Sequence, residues 1–141
     1  MSTAYEAMVF AREAHKDQKR KYTGNPYADH LAEVAGIAVT ACPVNLRPDV
    51  MASVAWLHDC VEDQGVTVET LSEKFGAQIA RAVLFLSDTE TGNRAERKAA
   101  ARTRLAGAWD WVQTIKVADL MDVLTKADAR LVQIARAQVA A

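Results

Sequence analysis

Cysteine, proline, long apolar runs and an excess of one charge are all scarce in this chain, and each scarcity removes a class of protein. Its 2 cysteines, Cys42 and Cys60, supply neither a disulfide framework nor a Cys-x-x-Cys pair. Cys60 reads as a small buried thiol. With 3 prolines and 6 glycines there is no low-complexity tract, linker or internal repeat. No apolar run approaches the ~20 residues that span a bilayer, and the N-terminus does not look like a signal peptide. The 17 basic and 18 acidic residues leave a net charge of −1, which gives no support to general nucleic-acid or membrane binding. A soluble, cytoplasmic protein in a reducing setting is the expectation.

What is present reads as all-α. Apolar residues make up 50% and charged residues 25% of the 141 positions, enough for one domain covering 1–141 with a sizeable core. No segment alternates with period two for long enough to make a strand. Thr3-Ala4-Tyr5-Glu6 has capping-box spacing and opens a helix predicted to run to about Gln18, with His15 near its end as a structural hydrogen-bonding group. Asp29 is placed to cap a second helix from His30 to about Ala41. Thr67 caps a helix through Phe75, Gly76 breaks it, and another follows from Ala77 to Leu86. Asn93 with Glu96 starts a basic helix carrying Arg94, Arg97, Lys98, Arg102 and Arg104. Such a charge run ordinarily faces solvent, with one or two of its cations as candidates to reach an anionic ligand. Asp110 with Gln113 opens the last strongly patterned helix, and Asp128 is expected to cap a separate terminal one. The total is about seven or eight helices in one compact bundle.

The stretch Val54-Ala55-Trp56-Leu57-His58-Asp59-Cys60-Val61-Glu62-Asp63 is predicted to lie in one buried helix that starts at Pro48 and ends before Gly65. At ~100° per residue, Glu62 falls about 40° from His58, Asp59 about 100° and Asp63 about 140°. An imidazole and three carboxylates therefore share one side of a mostly apolar helix. Buried charge of that kind requires a metal or several basic groups. Two further polar groups sit where apolar ones are expected. His30 lies one helical step from Leu31 and Val34, and Asp119 lies among Val112, Ile115 and Val123 with Lys116 as a possible partner at i−3. Asp122, beside a polar edge, looks less committed.

His30, His58, Asp59 and Asp119 together suit a first-row divalent ion. Their hard oxygen ligands lean the choice toward manganese, and their imidazoles also suit zinc, iron or cobalt. Such an ion supplies hydroxide near neutral pH. Glu62 and Asp63, one turn beyond the His-Asp pair, are placed to orient the water or carry its proton. The loop Lys19-Arg20-Lys21-Tyr22-Thr23-Gly24-Asn25-Pro26-Tyr27 reads equally as a solvated helix-capping cluster or as a phosphate- and base-binding loop. The reaction these groups suggest is hydrolysis of a phosphate ester or phosphoanhydride.

The order His30, His58-Asp59, Asp119 resembles the signature of the HD phosphohydrolase superfamily. Ala14-His15-Lys16-Asp17-Gln18, Arg20-Lys21-Tyr22-Thr23-Gly24-Asn25-Pro26-Tyr27 and Ile115-Lys116-Val117-Ala118-Asp119-Leu120-Met121-Asp122 narrow the resemblance to the hydrolase domain of RelA/SpoT-type proteins. That resemblance runs from about Ala4 to Leu124 and implies a manganese-dependent removal of the 3′-pyrophosphate of ppGpp and pppGpp. It implies His30, His58, Asp59 and Asp119 as metal ligands, Glu62 and Asp63 as catalytic acids, and Arg20, Lys21 and Tyr22 as nucleotide contacts. The partner so implied is a small nucleotide. Val123 stands where the family usually has asparagine, and Leu31 where it usually has proline. Val123 keeps open a phosphohydrolase of another nucleotide, such as NADPH or a nucleoside monophosphate. A non-catalytic nucleotide-binding module is the remaining alternative, against which the intact Glu62 and Asp63 argue.

Overall fold

A computed structural model describes residues 3–140; within the last helix the side chains of residues 127–132 and 140 lie outside the description. Eight helices follow one another among the described residues: α1 (Thr3–Ala14), α2 (Tyr27–Val39), α3 (Pro48–Leu57), α4 (Cys60–Gln64), α5 (Val68–Phe75), α6 (Ala77–Phe85), α7 (Arg94–Ala106) and α8 (Asp110–Ala140). The only β-type pairing among them is an isolated bridge between Lys19 and Pro26. The all-α expectation holds.

The bundle is arranged around α3, which packs against α1, α2, α6 and α8. Its sequence explains why. Pro48 occupies the first turn, and Met51, Ser53, Val54, Ala55, Trp56 and Leu57 are all buried, so the helix is covered on nearly every side. Leu31 of α2, Leu71 of α5 and Ile115 of α8 close the same core with Met51 and Leu57. Each such side chain contributes about 1.5–3 kcal/mol on leaving water. The lone hydroxyl on α3, that of Ser53, donates back to the Asp49 carbonyl at 2.7 Å.

The caps at Thr67 and Asn93 form as expected. Thr67 Oγ1 accepts from the Thr70 amide, and Asn93 and Glu96 complete a reciprocal capping box. Four boundaries differ from the sequence reading. Helix α1 stops at Ala14, because the amides of Lys16 and Gln18 turn to carbonyls three residues back. Helix α2 starts at Tyr27, three residues before His30, with Pro26 at its N-cap and no side-chain cap. A tight turn sets that start: Arg20 N bonds Asn25 O at 2.8 Å and Tyr27 N bonds Gln18 O at 2.9 Å, with Gly24 at φ 72°. Asp29 is therefore inside the helix and not its cap.

The third difference bears on the site. The helix expected from Pro48 to Gly65 breaks at His58-Asp59 into α3 and α4. His58 Nδ1 donates to Ala55 O at 2.6 Å, the carbonyl that a continuing helix offers to the Asp59 amide. Asp59 sits at φ −103°, ψ −1°, and the ladder resumes with Asp63 N on Asp59 O at 2.9 Å. Finally, α8 runs unbroken to Ala140, so no separate terminal helix exists. The capping expected of Asp128 falls among the side chains outside the description.

Candidate metal centre and substrate pocket

Three distant segments deliver the buried polar groups. The first turn of α2 brings His30, the α3–α4 break brings His58 and Asp59, and α8 brings Asp119 and Asp122. The α2–α3 and α2–α8 packing holds them together. One donor atom each from His30, His58 and Asp119 lies within 4.8 Å of the others. His30 Nε2 is 3.0 Å from Asp119 Oδ1, and His58 Nε2 is 3.6 Å from the same oxygen. Asp59 Oδ2 lies 3.0 Å from His58 Nε2 and 3.6 Å from His30 Nε2.

The outer nitrogens identify the inner ones as lone pairs. His58 Nδ1 is committed to Ala55 O, and His30 Nδ1 donates to Asp122 Oδ2 at 2.7 Å. If those nitrogens carry the protons, both Nε2 atoms present lone pairs toward carboxylate oxygens. His58 Nε2 is buried and has no hydrogen-bond partner, which is costly unless a cation or a proton lies between the groups. With metal–ligand bonds of ~2.1 Å, donors at right angles lie ~3.0 Å apart and donors 120° apart ~3.6 Å, which are the separations seen. The His30, His58 and Asp119 group is thus consistent with a divalent metal site of nitrogen and oxygen donors.

The electrostatics point the same way. Burial opposes a charge on His58, but Asp59 and Asp119 outweigh it and raise its pKa well above the ordinary value. Burial likewise opposes charge on His30, and its bonds to Asp119 and Asp122 prevail to raise it. Burial alone would raise Asp119, yet the two imidazoles and Lys116 hold it well below the usual range. Lys116 Nζ bonds Asp119 Oδ2 at 3.1 Å, as its i−3 position allows. The acids favour positive charge between the imidazoles and carboxylates, a demand that a metal ion satisfies.

The remaining predicted residues divide into two groups. Glu62 Oε1 accepts from the Asp88 amide at 2.6 Å, and Asp63 Oδ2 accepts from Gln18 Nε2 at 3.1 Å. Burial, and then in part the charge of Asp59, raises both carboxyls above their ordinary values. Lys21 and Tyr22 border a cavity of about 530 Å³ that also reaches His30, Tyr27 and Val123, a size suited to a small ligand. Arg20 borders it too, but its guanidinium is engaged elsewhere, at 2.7 Å from both Glu33 and Asp122. It is therefore positioned to hold Asp122 against His30. From the basic helix, Arg94 and Lys98 line this cavity, joined by Lys126 of α8. An apolar groove lined by Tyr5, Val9, Phe10 and Phe75 lies elsewhere, on α1 and α5.

Two residues at the site escape sequence reasoning. The Tyr27 hydroxyl donates to Asp59 Oδ2 at 2.6 Å, and burial together with Asp59 raises its pKa so far that it remains a donor. Asp122 is 4% exposed and accepts from both His30 and Arg20. The available signal was spacing: Asp122 stands three residues after Asp119 on one helix face, and Tyr27 three before His30. His15 is buried, bonds Gln18 Oε1 at 2.7 Å and packs on the Tyr27 ring at 5.2 Å between centroids, the structural part expected of it.

Similarity to known proteins agrees with the geometry. Guanosine-3′,5′-bis(diphosphate) 3′-pyrophosphohydrolase MESH1 of Homo sapiens is 33% identical over 115 residues, covering 81% of this chain and 63% of that protein. The chain thus spans a little under two thirds of that relative. A probable GTP pyrophosphokinase of Mycobacterium leprae is 36% identical over 124 residues, 84% of this chain but 15% of that protein. The solved structure described as a metazoan ortholog of SpoT that hydrolyzes ppGpp superposes with a TM-score of 0.80 at 27% identity, covering 92% of this chain and 72% of that one. A Listeria monocytogenes EGD-e structure gives a TM-score of 0.65 at 31% identity, covering 79% and 68%. Residues 7–139 match the protein family described as HD domain, and the chain belongs to that HD-domain family.

Proposed function

We propose that this protein is a metal-dependent phosphohydrolase that removes the 3′-pyrophosphate of guanosine alarmones, yielding GDP or GTP and pyrophosphate. The carrying observation is the grouping of His30, His58 and Asp119, with unpartnered His58 Nε2, and of Asp59 beside both imidazoles, the imidazole-to-carboxylate separations being 3.0–3.6 Å. In this reading Asp59 completes a four-residue set with His30, His58 and Asp119, and manganese is the favoured ion because half of the donors are hard oxygens. A divalent ion held by these residues would polarise a phosphate oxygen and lower the pKa of water.

The chain's own groups do the rest. Tyr27 fixes the Asp59 carboxylate by hydrogen bonding to Oδ2, and Asp122 fixes the His30 ring from behind. Glu62 and Asp63 accept a proton from attacking water or pass one to the leaving group. Their raised pKa values bring them closer to the pH at which they must exchange it. Lys21 supplies charge to the nucleotide, and Tyr22, which is 42% exposed, offers a ring for stacking. The MESH1 relatives and the SpoT ortholog bear names that describe ppGpp hydrolysis, which supports the choice of substrate.

Purified protein incubated with manganese and ppGpp is expected to release GDP and pyrophosphate, and Asp59→Ala is expected to lose both metal and turnover. Retained turnover in metal-free Asp59→Ala would remove the site assignment. A second reading, the same chemistry on another nucleotide, rests on Val123. Its side chain lines the cavity with neither donor nor acceptor, so it offers no hydrogen bond to a base. A panel including NADPH and nucleoside monophosphates separates the two.

A further inference from the structure

Asp63 is held from outside its own helix. Gln18 Nε2 donates to Asp63 Oδ2 at 3.1 Å. The oxygen of the same amide takes two bonds, from His15 Nδ1 at 2.7 Å and from Gln64 Nε2 at 2.8 Å. The Gln18 backbone is fixed as well, its amide on His15 O at 3.0 Å and its carbonyl on the Tyr27 amide at 2.9 Å. His15 is 2% exposed, and its Nε2 has no hydrogen-bond partner. One proton arrangement satisfies all of these contacts. With its proton on Nδ1, His15 donates to Gln18 Oε1 and leaves the amide NH₂ facing Asp63. With the proton on Nε2, a donor is stranded in the core, and the Gln18 amide must reverse and set its oxygen against the Asp63 carboxylate. The same ring packs on Tyr27, whose hydroxyl holds Asp59.

We infer that His15 is a positioning residue, which acts through Gln18 to hold the Asp63 carboxylate in the orientation that meets the attacking water. The inference rests on the phosphohydrolase reading, in which Asp63 is one of two proton-carrying acids. Glu62, the other, takes a backbone amide, that of Asp88. Asp63 takes a side-chain amide instead, so its direction depends on which way Gln18 is turned, and His15 sets that. Burial raises the Asp63 carboxyl and Asp59 adds to the rise, while the Gln18 bond opposes both. A ring that merely fills space is replaced by any side chain of similar volume. A ring that supplies a donor at Nδ1 is replaced by an amide whose nitrogen lies at that point. Asparagine carries its nitrogen near the place of Nδ1, and glutamine near the place of Nε2.

The test uses the full chain with His15→Asn and His15→Gln, each checked by circular dichroism and melting temperature. In the native protein, ¹⁵N NMR of the imidazole should show the proton of His15 on Nδ1; a proton on Nε2 alone overturns the inference. In manganese-loaded protein acting on ppGpp, His15→Gln should lower kcat about tenfold, the loss of one charge-assisted bond, with KM nearly unchanged. His15→Asn should restore most of kcat. Equal losses in the two variants, or native kcat in His15→Gln, overturn the inference. Should both variants unfold, Gln18→Met at a half-buried position takes their place, with the same fall in kcat expected and native kcat overturning the inference. If the native protein leaves ppGpp intact, the reaction assignment fails, and ¹³C NMR titration of the Asp63 carboxyl in metal-free protein decides whether His15 orients it. Its pKa should rise in His15→Gln and in Gln18→Met and stay native in His15→Asn, because a donor to the carboxylate favours the charged form; a native value in His15→Gln or Gln18→Met overturns the inference.

Discussion

Replacing Asp122 by asparagine should weaken metal binding without removing a proposed metal ligand. Asp122 Oδ2 lies 2.7 Å from His30 Nδ1 and 2.7 Å from Arg20 Nη2, and the side chain is almost fully enclosed. Asparagine keeps the shape but presents one neutral carbonyl oxygen where the carboxylate accepted two charge-assisted bonds. Such bonds contribute about 1.5–3 kcal/mol each, roughly twice a neutral one. The loss at His30 is then about 1–1.5 kcal/mol, with a further decrease in the basicity of Nε2. Carboxylates that back a metal-binding histidine contribute ~10–100-fold in affinity, equivalent to ~1.4–2.7 kcal/mol, so the two routes to the number agree. Metal-stripped native and Asp122→Asn proteins should be titrated with Mn²⁺ by calorimetry, with circular dichroism to show that both are folded. A drop of ~10–100-fold is expected. A folded variant with native affinity would refute the claim that Asp122 positions His30.

Arg20→Ala should destabilise the fold by about 3 kcal/mol in urea unfolding, because it strands a buried Asp122 carboxylate; a change near zero would return Arg20 to a purely ligand-facing role. For Glu62, burial raises the carboxyl pKa, against the Asp88 amide and with help from Asp59. A carboxyl whose folded-state pKa is raised binds its proton more tightly in the folded chain, so stability falls as pH rises from the ordinary value of 4.5 through the folded one. Metal-free Glu62→Gln should therefore gain melting temperature relative to the native protein between acid and neutral pH, and a pH-independent difference would contradict the shift. Burial and the neighbouring Asp59 push the Cys60 thiol up to about 12, whereas Cys42 is only partly buried. A disulfide reagent at mildly alkaline pH should label Cys42 in the native protein and Cys60 only on unfolding, and equal rates would count against a closed core at Cys60.

His30, His58 and Asp119 were legible in the sequence because each is a polar group inside an apolar pattern, and a misfit of that kind is visible locally. Asp122 was not, since its neighbours on α8, Met121 and Val123, are exposed. Its burial comes from α2 docking on α8 and from Arg20, 102 residues away in sequence. The break at His58-Asp59 was equally hidden. No glycine or proline marks it; a side-chain bond from His58 to Ala55 O competes with the backbone ladder. The helix from Asp110 onward shows the converse. Asp128 suggested a new start, but no glycine or proline lies between Asp110 and Ala140, so nothing obliges the first helix to stop.

A net charge of −1 is commonly read as neutrality toward anionic partners, and here the average conceals the arrangement. Acidic groups gather where His30, His58 and Asp119 meet, while Lys21, Arg94, Lys98 and Lys126 line the adjoining cavity. A polyanion approaching the metal-free site meets repulsion at one end and attraction at the other. Once a divalent ion masks the carboxylates, the whole cavity becomes attractive. Anion affinity should accordingly depend on metal far more than on bulk charge, and guanosine diphosphate binding measured with and without Mn²⁺ should differ in salt dependence, with the steeper slope in the metal-loaded protein. The near-neutral composition still argues against a broad nucleic-acid surface.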